Sequence, residues 1–258
     1  MAAGPMEQFA VHPIIPLEIG GVDVSFTNAS LWMVIVVATI TLLLTMAMSK
    51  SSMVPSRLQS LAEISYTFIA DMIRSSAGTE GLKFFPFIFA LFMFVLFSNM
   101  LGLLPFQLIT GGAFHQFTVT SHIIVTLALA LTVFAMVIVV GIAKHGFRFL
   151  TLFVPHVPWY MLPILTPIEI ISFLSRPISL SVRLFANMLA GHTMLVVFGS
   201  FVVGLAAAGG ALSALSVIPM LVIIGVTALE FLVAFLQAYV FAILTSIYLN
   251  DALHLHDH

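Results

Sequence analysis

Residues 167–203 read PIEIISFLSRPISLSVRLFANMLAGHTMLVVFGSFVV. The run contains no cluster of turn residues, and as one helix it would extend about 55 Å at ~1.5 Å per residue. The hydrocarbon core of a bilayer is only about 30 Å thick. A helix of this length either crosses at a steep inclination or breaks, and Pro177 supplies a place for a kink. A second run of similar length and apolarity, Leu212 to Leu249, follows. Gly199, Gly204, Gly209 and Gly210 mark the turn between the two. Together they predict a long, strongly tilted helical hairpin over residues 161–250.

The rest of the chain agrees with a lipid solvent. Of its 258 residues, 61% are hydrophobic and 7% charged, against roughly 25% charged in soluble domains. Net charge is -2, and no basic tract exists that would bind nucleic acid. There are no cysteines, which excludes disulfide and thiolate chemistry. The opening MAAGPMEQFAVHPIIPLEIGG lacks a basic start and a continuous apolar core, so no cleavable signal peptide is expected. The fold class expected is an all-α integral membrane protein, with one membrane domain over residues 1–258. Residues 1–30 form an outer N-terminal segment. Residues 31–48 form the first transmembrane helix, with Asn28 and Ser30 as candidate N-caps. In residues 55–78, Leu58, Leu61, Ile64, Phe68, Ile69 and Met72 recur at helical spacing among Arg57, Glu63, Asp71 and Arg74. That pattern reads as an amphipathic helix at the membrane interface. Residues 84–143 form a transmembrane hairpin, built from Phe84 to Leu104 and Val119 to Ala143. No internal repeat stands out.

Basic residues orient the spans. Lys50, Arg57, Arg74 and Lys83 follow the first span, and Lys144 and Arg148 follow the third. The N-terminal tail, the Pro105 to Thr118 loop and the glycine turn carry none. The N-terminus is therefore expected outside, and the interfacial helix and the C-terminus in the cytoplasm.

The two remaining cations, Arg176 and Arg183, lie inside the first long run. A charge at mid-bilayer costs roughly 2.5–3.5 kcal/mol or more and usually marks an ion pathway. Snorkelling to the interface is the alternative, and it is the stronger alternative for Arg176. Glu169, Ser172, Arg176, Ser179, Arg183 and Asn187 step by three or four residues, so they share a helix face. In lipid, such a stripe must turn to protein or water. A guanidinium does not lose its proton in proteins. Arg183 therefore suits a fixed positive charge that attracts a passing carboxylate and interrupts a proton wire. Thr166-Pro167-Ile168-Glu169 also reads as a capping box with Pro167 at the first helical position; Glu169 is thus a cap, a proton acceptor or both. In the last run, Glu230 and Gln237 lie seven residues apart within apolar sequence. The partner expected for Glu230 is His192, since a carboxylate and an imidazole exchange protons near neutral pH. A histidine bonded to backbone at the interface is the alternative for His192. His115 and His122 fall near the outer loop, and His145 and His156 near the inner surface. The ending HLHDH, with His254, His256 and His258, reads as a solvated tail rather than a metal site. No HExxH, Walker or GxGxxG pattern occurs, and no cofactor is expected.

The stretch PISLSVRLFANMLAGH, residues 177–192, resembles the signature of subunit a of rotary F-type ATP synthases, and ALEFLVAFLQAYVF, residues 228–241, is similarly close. The helix layout resembles that family over most of the chain. The resemblance implies a proton-translocating stator subunit, not catalytic on its own, that loads and unloads carboxylates on a rotor ring of subunit c. It implies Arg183 as the arginine facing those carboxylates, and Glu230 with His192 as the outer half-channel. Asn187 and Gln237 would lie near the arginine, and Glu169 with Ser172 and Ser175 would form the inner half-channel. Many bacterial members carry the acid and the histidine exchanged. The arrangement here resembles the mitochondrial and alphaproteobacterial branch. The partners implied are the ring, peripheral-stalk subunit b, the catalytic head indirectly, and lipid. The location implied is a bacterial inner membrane, with the mitochondrial inner membrane as alternative. A self-contained ion-coupled secondary transporter is the competing reading, but it would need a substrate pocket and paired broken helices.

Because the chain lacks cysteine, introduced cysteines report topology without background. A cysteine at Ala3 or Gly209 should react with an impermeant reagent applied outside intact cells, and one at Ser76 only after access to the cytoplasm. Labelling of Ser76 from outside with Ala3 protected would reverse the orientation.

Overall fold

A computed structural model describes residues 11–16, 18–19, 22–23, 25–49, 53–104, 117–146, 149 and 160–254. His115, His156, His256, His258, Lys50 and Arg148, and most of the outer loop, lie outside the described residues. Four short strands come first: β1 (Pro13–Ile15), β2 (Glu18–Ile19), β3 (Val22–Asp23) and β4 (Phe26–Thr27). The helices follow: α1 (Asn28–Met48), α2 (Arg57–Gly81), α3 (Phe85–Leu103), α4 (Ile123–His145), α5 (Leu162–Ala208), α6 (Gly210–Leu215) and α7 (Val217–Leu253). Five helical stretches among the described residues are long and apolar enough to cross a membrane. The chain is an all-α membrane protein with a small β arch at its N-terminal end.

The long helices depart from the local signals in one respect. Thr166 and Pro167 do not start a helix, because α5 begins at Leu162 and encloses both Pro167 and Pro177. The capping-box reading of Glu169 is thereby corrected. Pro163 already occupies the first turn, where a missing N–H costs nothing. The amides of Ile164 and Leu165 both bond the carbonyl of Met161. Glycine ends the helix: Gly209 and Gly210 both adopt positive φ, 71° and 61°, which an L side chain resists.

The chain divides into two compact units, the first comprising residues 1–42, 94–122 and 184–238. In it β1 pairs antiparallel with β4 and β2 with β3. The arch fastens the start of α1. The side-chain oxygen of Asn28 accepts from the amides of His12, at 3.2 Å, and Ala29, at 3.0 Å. Trp32, Val36, Val95, Val119, Leu184 and Met188 are buried in this unit, as are Ala234 and Ala238.

The second unit comprises residues 43–93, 123–183 and 239–258. Here Ser56 caps α2, accepting from the amide of Gln59 at 3.3 Å. The apolar residues of α2 divide between two faces. Ile69, Met72 and Ile73 are buried, whereas Leu58, Leu61 and Ile64 are exposed. At Gly78, φ +64° breaks the helix. Phe68 packs between Phe92 and Tyr239, with ring centroids 6.1 and 5.6 Å away. Four polar contacts fasten the end of α7 and its surroundings. Arg176 pairs with Asp251 at 3.1 Å, and Lys144 with Glu80 at 2.6 Å. The Ser76 and Ser246 hydroxyls bond at 2.7 Å, and His145 Nε2 donates to the Leu253 carbonyl at 3.1 Å.

Hydrogen bonds between charged groups contribute roughly 1.5–3 kcal/mol when sheltered, and less as exposure grows. Asp251→Asn should therefore speed amide exchange in the last two turns of α7 without altering its first turns. Equal exchange in the variant and the parent would show that the aromatic rings beside Arg176 suffice to hold this end.

Candidate proton-handling site

In the first unit, three of the residues singled out are buried: His192 at 5% exposure, Glu230 at 6% and Gln237 at 6%. Asn187 is exposed. The carboxyl of Glu230 lies directly over Gly191. A Cβ at that glycine would stand 2.8 Å from Glu230 Cδ and closer still to Oε1. The expected neighbours therefore meet, but through the backbone next to His192 rather than by a bond between the two side chains. His192 Nε2 bonds the hydroxyl of Thr118 at 2.8 Å instead. Neither oxygen of Glu230 has a hydrogen-bond partner among the described residues. A buried carboxyl in that state is costly unless water or proton exchange satisfies it.

Sequence reasoning missed a buried polar network around this pair. Asn99 is fully buried. Its amide donates to the Ala234 carbonyl at 3.4 Å, and its oxygen accepts from Thr120 Oγ1 at 2.7 Å. Ala234 lies one turn beyond Glu230 on α7. Ser121 Oγ donates to the Thr118 carbonyl at 2.6 Å. Ser98, buried beside Asn99 in sequence, has no partner for its hydroxyl among the described residues. The signal existed: Ser98-Asn99 interrupts an apolar span, and Thr118-Val119-Thr120-Ser121 immediately precedes another.

In the second unit the stripe on α5 splits. Ser172, Ser175, Ser179 and Arg183 are exposed, while Glu169 and Arg176 are half-buried. The complementary face, Phe173, Pro177, Leu180 and Ser181, is buried. Arg176 is held by Asp251, and its guanidinium lies 5.5 Å from the Phe173 ring and 4.9 Å from the Tyr248 ring. Ion pairing and cation–π contact together account for the placement of this charge. Asp251 was not anticipated, although it is a carboxylate near the end of a largely apolar helix. Among the described residues no group of three or more His, Asp or Glu is placed to hold a metal ion.

The closeness of Gly191 to Glu230 generates a stability expectation. Overpacking typically costs about 1–3 kcal/mol, so Gly191→Ala should lower the unfolding midpoint of the purified protein. Glu230→Asp, one methylene shorter, should recover part of that loss in the double variant although it is not stabilising alone. Strict additivity of the two changes would show that these residues are not in contact.

Comparison with known proteins places the chain in a family. The family model described as ATP synthase A chain matches residues 30–250. A protein named ATP synthase subunit a from Chelativorans is 57% identical over 255 residues, covering 98% of this chain and 99% of its own. Its namesake from Maricaulis maris is 57% identical over 252 residues, covering 97% of each. A third, from Agrobacterium fabrum, is 57% identical over 255 residues, covering 98% and 99%. With a family match over most of its length and relatives this similar end to end, the chain is a membrane-embedded member of the ATP synthase A chain family, of the kind found in alphaproteobacteria.

Proposed function

We propose that this chain provides two offset half-channels through which protons reach and leave carboxylates on an adjacent rotor ring of c subunits. The observation that carries this reading is the exposed polar face of α5. Ser172, Ser175, Ser179, Arg183 and Asn187 are all exposed on a helix whose other exposed residues are largely apolar, such as Ile168, Ile171, Ile178 and Val182. Lipid offers no hydrogen bonds to such a stripe. A moving partner that presents carboxyl groups does.

In this reading protons enter from the outer side through the buried set that includes His192 and Glu230. They neutralise a ring carboxylate, which then tolerates lipid. After rotation the carboxyl reaches the inner path near Glu169, Ser172 and Ser175 and releases its proton. Arg183 keeps the two paths apart and favours the ionised carboxylate as it passes, because a guanidinium cannot itself relay the proton. Asn187 and Gln237 flank that encounter. Arg176, fastened to Asp251, lines the inner path as a fixed charge. Each charge that crosses gains about 2.3 kcal/mol per 100 mV. Subunit b holds the chain against rotation, the catalytic head uses the torque, and the exposed apolar face of α2 rests on lipid. The N-terminus faces outward and the C-terminus the cytoplasm of a bacterial inner membrane.

Arg183→Ala is expected to abolish proton-driven ATP synthesis and ATP-driven pumping in a complex that still assembles. Vesicles stripped of the catalytic head should leak protons that the parent retains. Arg183→Lys should rescue poorly, since an ammonium lacks the guanidinium fork and loses its proton more readily when buried. Dye-monitored proton uptake, with subunit content quantified in parallel, reads all three. Near-normal pumping by fully assembled Arg183→Ala would overturn the half-channel reading.

A further inference from the structure

Thr118 is fastened unusually well for a residue outside a helix. It precedes the short 3-10 turn Val119–Ser121, in extended backbone at φ -88° and ψ 106°. Its carbonyl accepts from the amide of Ser121 at 3.1 Å and from the Ser121 hydroxyl at 2.6 Å. Its side chain sits against Gly102 of α3, where an added Cβ would lie 2.7 Å from Thr118 Cγ2 and 2.9 Å from Thr118 Cβ. Thr118 and His192 are each 5% exposed. The hydroxyl is thus aimed at His192 Nε2, 2.8 Å away, with the Gly102 carbonyl as its second contact at 3.5 Å.

We infer that Thr118 is a positioning residue for His192: it holds Nε2 and leaves Nδ1 as the nitrogen that takes up and passes on the proton. This inference rests on the relay proposed above and names the atom of it that works. The chemistry is particular to a hydroxyl, which both donates and accepts. When the imidazole is neutral its proton sits on Nε2, which donates to Thr118 Oγ1, while the hydroxyl donates to the Gly102 carbonyl. When the free Nδ1 gains a proton from the outer side, both of these bonds persist and the ring need not move. Proton balance is complete at His192: the proton gained at Nδ1 leaves from Nδ1, to water or to the carboxylate of Glu230. Gly102 acts in support, because any side chain there would displace the threonine.

The test uses the assembled enzyme in vesicles, with proton-driven ATP synthesis and ATP-driven proton uptake measured per assembled complex. Thr118→Val keeps the shape and removes the hydroxyl. It should slow both rates about three- to tenfold, the range set by the loss of one buried hydrogen bond. Thr118→Ser should remain within about twofold of the parent by the same measure. In a His192→Ala background, adding Thr118→Val should cost nothing more, since its target is gone. Parent rates in Thr118→Val overturn the inference. A serine variant as slow as the valine does so too, because bulk rather than the hydroxyl would then matter. So does a full additional loss in the His192→Ala background. Should Thr118→Val fail to assemble, Thr118→Cys, with its weak S–H donor, takes its place against serine. The relay itself fails separately, if His192→Ala runs at the parent rate; a slow His192→Ala with a normal Thr118→Val overturns this inference alone.

Discussion

Lipid cannot hydrogen-bond. Each polar group on a membrane-spanning helix therefore needs a partner in protein or in trapped water, and the alternative costs several kcal/mol. The described contacts follow from that constraint. Asn99 is satisfied by Thr120 and the Ala234 carbonyl, His192 by Thr118, Thr126 by Ser181, and Ser76 by Ser246. These bonds join residues far apart in the chain, so they select which helix faces meet. The carboxyl of Glu230, whose oxygens have no partner among the described residues, is where protons belong in the proposed mechanism.

The same helix treats two arginines in opposite ways. Arg176 is anchored by a carboxylate and two aromatic rings, while Arg183, two turns later, is exposed on the apolar outer surface. An anchored charge serves as a constant part of its surroundings. In the proposed mechanism, an exposed charge is the one a ring carboxylate meets as it passes. Residue type alone does not separate these roles; what each guanidinium touches does.

Missing side chains matter as much as polar ones. Gly191 lets the Glu230 carboxyl lie on the backbone of α5, and Gly102 lets Thr118 seat its hydroxyl. Along α7, Ala234, Ala238 and Ala242 are completely buried at a spacing of four, which keeps one face of that helix smooth. Close approach of this kind brings backbone carbonyls within reach of side chains such as Asn99, and it places acid and imidazole in one buried neighbourhood without a direct bond between them.

Composition, hydropathy and helical periodicity were sufficient, by themselves, to determine an all-helical membrane protein. These are local properties: helical periodicity and lipid exclusion act within a few turns of chain. Local signals also misled where longer-range structure extended an element. Thr166-Pro167-Ile168-Glu169 looks like a helix start, yet α5 begins at Leu162. The division of the α5 stripe into exposed and anchored members, the pairing of Arg176 with Asp251 and the bond from Thr118 to His192 were decided only by tertiary structure. Those last two contacts join residues 75 and 74 positions apart. Periodicity assigns a residue to a face, but only packing determines which distant side chain that face meets.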